Sequence, residues 1–206
     1  MNNKLIFIFL ATLACITTTH AARNPLHDAA ENGAIQELTN LIATHKYDIN
    51  EQDEDNWTPL HCAAWSGHTE CVRILLLSEA NVNALNNRKS TPLHLAAQWD
   101  YIDCLKVLIE HHAIIDPYSV SHWTPLHYAA KWGNAECAQL LLQHGATIDA
   151  ITNDCKTAKD LAQGIGHANV VKALQDWVDF PEIKEPEGAA AEEEAASAVS
   201  TPSNQK

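Results

Sequence analysis

The 206-residue chain is poor in the residues on which many binding and catalytic chemistries depend. It has seven glycines and one methionine, which leaves no glycine-rich loop to cradle a phosphate and no Met-rich groove. Basic residues are also scarce. Thirteen Lys and Arg stand against 26 Asp and Glu, for a net charge of −13. Nucleic acids and anionic membrane surfaces both select a basic footprint, so this balance counts against both as partners. No two cysteines have CxxC spacing, so a zinc site has no support. A Walker-type loop, a GxSxG elbow and an HExxH helix are all missing, and no catalytic residue, cofactor or metal is expected. What remains is a chain that is 46% hydrophobic and 19% charged, suited to one globular domain or a short repeat array.

The two ends differ from the middle. Lys4 precedes an apolar run over residues 5–16, far short of the ~20 residues that span a bilayer. Thr19 and Ala21 then stand at the −3 and −1 positions of a signal-peptidase site. A positive start, a short apolar core and a small-residue exit predict a secretory signal peptide over 1–21, cleaved after Ala21, and hence a secreted or periplasmic protein. After Pro181 the chain carries six acids and two lysines among small residues, a composition that predicts a disordered acidic Ala/Glu-rich tail over 181–206. Removing Cys15 with the leader leaves five cysteines, an odd number that argues against a fully paired disulfide framework.

Between these ends the spacing is regular. Cys71, Cys104 and Cys137 lie 33 residues apart, as do Thr58-Pro59-Leu60-His61, Thr91-Pro92-Leu93-His94 and Thr124-Pro125-Leu126-His127. Asn24-Pro25-Leu26-His27 extends the series backward with one extra residue near His45 to Tyr47, and Thr157-Ala158-Lys159-Asp160 extends it forward. A fixed period of this size marks a solenoid. Thr58 is a good N-cap and Pro59 at the first helical position loses no useful donor, while Gly67 supplies a left-handed stop. A second helix follows, with Val72, Leu75 and Leu76 at helical spacing. Neither helix is long enough to stand alone, so stability must come from stacking on the next pair.

These units resemble ankyrin repeats, whose pattern T-P-L-H-x-A-A…G-H…L-L…G-A is nearly complete between Thr124 and Ala146. The resemblance covers about residues 22–180, with repeats near 22–54, 55–87, 88–120, 121–153 and 154–180. It implies an all-α, right-curved solenoid of five helix pairs joined by hairpin loops and used as a protein-binding scaffold. It also implies that His27, His61, His94 and His127 hydrogen-bond backbone between repeats. The departures are local: Asp100 replaces the usual helix-ending Gly, while Glu79 and His112 stand where Gly145 does and should be mildly strained. Asp160 replaces the histidine in the last repeat, as suits a terminal cap.

Tryptophan is the anomaly. Trp57 and Trp123 lie one residue before a Thr-Pro pair, and Trp65, Trp99 and Trp132 at the end of a first helix, just before Gly67, Asp100 and Gly133. By resemblance these positions face the concave groove, where ankyrin proteins vary their contacts. Tyr101 and Tyr128 fall near the same face, with Lys131, Lys89 and Lys156 as rim charges. Trp is the residue type most enriched in binding hot spots. The expected function is a non-enzymatic scaffold that binds a protein partner through Trp57, Trp65, Trp99, Trp123, Trp132, Tyr101 and Lys131, working as a monomer. The acidic balance favours a basic partner. Mutual indole stacking that stiffens the groove is the competing account of the same residues. Two other functions compete with this one: a self-assembling envelope component, and an enzyme built on Cys62 or Cys155. Export of an ankyrin-type protein points to a bacterial source. Asn56-Trp57-Thr58 is a glycosylation sequon that has meaning only in a eukaryote.

Overall fold

The computed structural model describes residues 23–179. The expected leader and tail lie outside them. The described residues form ten helices in five pairs, with no strand. The pairs are α1 (Pro25–Glu31) with α2 (Ile35–Ala43), α3 (Pro59–Ser66) with α4 (Thr69–Leu77), and α5 (Pro92–Trp99) with α6 (Ile102–Glu110). They continue as α7 (Pro125–Trp132) with α8 (Ala135–Gln143), and α9 (Ala158–Ile165) with α10 (Ala168–Asp179). First helices pack in one row and second helices in another, each against its counterpart in the neighbouring pair. The architecture is an all-α solenoid. Its core is a ladder of identical layers: Leu60, Leu93 and Leu126 are at most 1% exposed, as are Leu75, Leu108 and Leu141. Burying each such leucine is worth about 1.5–3 kcal/mol.

The Thr-Pro-Leu-His sequence explains how each inner helix starts. In α3 the Thr58 hydroxyl accepts from the His61 amide, and His61 Nδ1 accepts from the Thr58 amide at 3.1 Å. This is a capping box with histidine where Glu or Gln is usual. With Nδ1 an acceptor, the ring proton sits on Nε2, which donates to the Ser90 carbonyl of the next repeat at 3.0 Å. His94 and His127 repeat this geometry toward Trp123 and Lys156. Burial pushes His61 and His94 down to about 4 and lowers His127 as well, so these rings are neutral bridges between repeats. In the last repeat Asp160 takes over the cap, accepting from the Thr157 amide at 2.9 Å.

The inner helices stop in the left-handed region, at Gly67 (φ 76°), Asp100 (φ 66°) and Gly133 (φ 79°). The outer helices are followed by Glu79 (φ 66°), His112 (φ 62°) and Gly145 (φ 86°). The strain expected at Asp100, Glu79 and His112 is therefore present. Connecting loops form fingers of one design. In each, the amide of Asp53, Asn86, Ser119 or Thr152 donates to the carbonyl four residues on, and its side-chain oxygen accepts from an amide in the same loop. Neighbouring fingers are tied by backbone bonds: Asn87 to Asp55, Val120 to Arg88 and Asn153 to Ser121.

Both ends of the stack break the apolar pattern. Where earlier repeats bury Leu126 and Ala130 against the following pair, the fifth carries Lys159 and Gln163. Where later repeats bury Cys71, Cys104 and Cys137, the first carries exposed Glu37. Polar residues at these positions are what a terminal repeat needs.

Candidate functional site

Four of the five expected tryptophans make one continuous ladder. Trp57 meets Trp65 edge-on with ring centroids 5.5 Å apart. Trp65 meets Trp99 at 4.6 Å and 83°, and Trp99 stacks on Trp132 at 5.9 Å and 24°. All four are partly buried: Trp65 has an indole on either side, as has Trp99, and each of the four keeps a minor part of its surface exposed. The change from edge-on to stacked geometry corrects the sequence register. Trp65 lies two residues before Gly67, whereas Trp99 and Trp132 each lie one residue before the left-handed stop. Trp65 therefore shares its repeat position with Gln98 and Lys131, and Trp99 and Trp132 share theirs with Ser66 and the exposed Ile165. The indole N–H of Trp99 is buried without an acceptor, and its ring is held at right angles to that of Trp65.

The remaining expected residues divide. Trp123 stands in a separate cluster, edge-on to Tyr128 at 5.5 Å, and Tyr128 in turn meets His94 at 5.3 Å. Tyr101 packs its ring over Gly67, where an added Cβ would come within 2.6 Å of it, and burial raises its phenol. That makes Tyr101 an inter-repeat contact. Lys131 is exposed beside Trp132. Chain acidity is not concentrated here. Glu70, Asp103 and Glu136 recur at one position of the outer helices, whereas Lys131 and Glu31 are the only ionisable residues at the two positions that hold Trp65, Trp99 and Trp132. The Trp57 position carries Arg23 and Lys156. Glu31 is paired with Arg23.

Three features escape a motif search. His68, Tyr101, Asn134 and His167 share one repeat position and dock on the preceding inner helix end; Asn134 Nδ2 donates to the carbonyls of Ala97 and Gln98 at 2.8 Å each. Leu85, Tyr118 and Ile151 form an exposed apolar column on the fingers, 33 residues apart. Only alignment by period reveals either series. Arg23 is the third: its side chain is 10% exposed, pairs with Asp53 at 3.3 Å and donates to the Cys62 sulfur at 2.9 Å. Burial pushes the Cys62 thiol up despite that cation, the opposite of an activated nucleophile. All five cysteines of the described residues are free thiols, with Cys155 exposed. Among the described residues no helix is long and apolar enough to cross a membrane, and no cluster of His, Cys, Asp and Glu is arranged to hold a metal ion.

Comparison with known proteins gives the same repeat. A family model described as ankyrin repeats (3 copies) matches residues 26–119, and one for the single ankyrin repeat matches 121–153. The chain is 46% identical over 59 residues to cortactin-binding protein 2 of Plecturocebus moloch, a stretch covering 29% of this chain and 4% of that protein. It is 39% identical over 57 residues to ankyrin repeat domain-containing protein 49 of Bos taurus, covering 28% of this chain and 24% of the relative. Alpha-latrocrustotoxin-Lt1a of Latrodectus tredecimguttatus matches at 38% over 60 residues, 29% of this chain and 4% of the toxin. The chain thus spans a small part of each relative. All three are animal proteins, and matches this short follow the repeat consensus, so they give the expected bacterial source no support. Ankyrin repeats serve as protein-binding scaffolds rather than enzymes, and this chain belongs to the ankyrin repeat family.

Proposed function

We propose that the protein is an exported docking module that holds a protein partner against the ladder of Trp57, Trp65, Trp99 and Trp132, with Lys131 at its edge. The observation that carries this reading is a continuous line of four linked indoles across three successive repeats, each with part of its surface exposed. Trp is the residue type most enriched in binding hot spots, and a row of partly exposed indoles offers a partner several anchors in line. Indole stacking and docking are compatible, because rings fixed by their neighbours lose little freedom on binding. Trp123 with Tyr128 supplies a second aromatic cluster for a partner long enough to reach it. Cortactin-binding protein 2 carries a protein partner in its name, in line with such a role for repeats of this kind. Export rests on the leader expected over residues 1–21.

The test compares the protein with a Trp65/Trp99/Trp132→Ala variant in affinity capture from the source organism, with circular dichroism to confirm that both are folded. A protein that is captured by the wild type, rebinds it after purification and is lost with the folded variant is the expected result. Equal capture by both would overturn the docking role. N-terminal sequencing of the native protein tests export: the chain should begin at Ala22, and a retained Met1 would refute cleavage.

A further inference from the structure

Resting on that docking reading, we infer that the ladder accepts an uncharged, proline-rich segment in the extended polyproline conformation. Charge narrows the class first. The chain's net charge of −13 repels an acidic partner and overall favours a basic one, but at the ladder itself the exposed Lys131, in line with Trp65, works against a cationic segment. With Glu31 committed to Arg23, the two positions that hold Trp65, Trp99 and Trp132 otherwise carry Gln, Ser, Asn, Gly and Ile. The Trp57 position carries Arg23, Ser90, Trp123 and Lys156, so no uncommitted acid stands at any of the three.

Shape narrows it further. The indoles follow one another at 5.5, 4.6 and 5.9 Å, a line rather than a broad patch. An ordinary extended peptide laid on such a line would press its amide N–H groups against aromatic carbon, where an unpaired donor is costly. Proline has no N–H, its ring is flat and apolar, and its backbone already holds the extended form, so little entropy is lost on docking. Aromatic-lined grooves select such segments for these reasons. At ~3.1 Å per residue, about five residues cover the ladder.

The experiment follows the six indole N–H resonances of the 15N-labelled protein, assigned with single Trp→Phe variants that keep a ring at each site. The protein is titrated with a ten-residue oligoproline and, separately, with an arginine-rich peptide of equal length. Oligoproline should shift the resonances of Trp57, Trp65, Trp99 and Trp132 saturably and leave Trp177 in place. Its affinity should change less than about twofold between low and high salt, since no ion pair is involved. If only the arginine-rich peptide moves the ladder, the proline inference falls and the docking reading stands. If neither peptide nor a purified captured partner moves these resonances, both fall.

Discussion

At the scale of single residues, the repeats carry a controlled comparison of their own. Glu79, His112 and Gly145 occupy one position in three successive units, all with φ between 62° and 86°. Only glycine adopts this conformation without crowding its Cβ, so the first two residues are strained where the third is not. Glu79 is exposed. Glu79→Gly should therefore stabilise the protein by about 0.5–1 kcal/mol, less the backbone entropy that glycine adds to the unfolded chain. A rise in the urea midpoint at constant slope would show it, and a fall would mean that the Glu79 side chain contributes more than its strain costs. This strain was legible in the sequence, because a missing glycine in an otherwise regular column can be seen by eye. The role of Arg23 was not. It depends on Asp53 and Cys62, which reach it only when the second repeat folds onto the first.

At the scale of elements, the inner helices are held in register by contacts that no motif announces. Asn134 is 1% exposed, and its amide closes the carbonyls of Ala97 and Gln98 at the C-terminal end of α5, the two residues that precede Trp99. Asn134→Ala would leave the Ala97 carbonyl buried without this donor and the Gln98 carbonyl partly so, at a cost of about 1–3 kcal/mol. The end of α5 carries Trp99, so the variant should also alter indole fluorescence in the native state. Chemical denaturation and emission spectra of the folded variant check the two effects separately. Unchanged stability would mean that water or a neighbouring donor replaces the amide. The helix pairs were legible because capping threonine, proline at the first turn and apolar spacing recur at every unit. The ladder was legible in its residues but misaligned by one, since Trp65 sits a position earlier than Trp99 and Trp132. A shift of one residue turns a helical side chain by about 100°, and this is why Trp65 meets Trp99 edge-on while Trp99 lies flat on Trp132.

At the scale of the whole molecule, the repeats are joined through histidines that must stay neutral. His61 and His94 have folded-state values near 4, set first by burial, against about 6.5 in an unfolded chain. The unfolded state therefore binds more protons as pH falls below 6.5, and it gains stability relative to the fold. The contribution of each ring is fully present above pH 6.5, declines through the interval down to about 4 and is gone below it. By pH 5 the loss should be on the order of 2 kcal/mol for each of the two, with His127 adding in the same direction. The urea midpoint should thus be flat from pH 8 to 7 and fall steeply from pH 6 to 5. His94→Asn should start lower at pH 7 but lose less over the same range, because one titrating bridge is already missing. Each ring bridges adjacent repeats, so protonation acts on the interfaces that a one-dimensional stack depends on, and the transition should broaden as coupling between repeats weakens. A midpoint that holds to pH 5 would show that the rings protonate without losing their carbonyl partners, and that the stack is carried by its leucine layers alone.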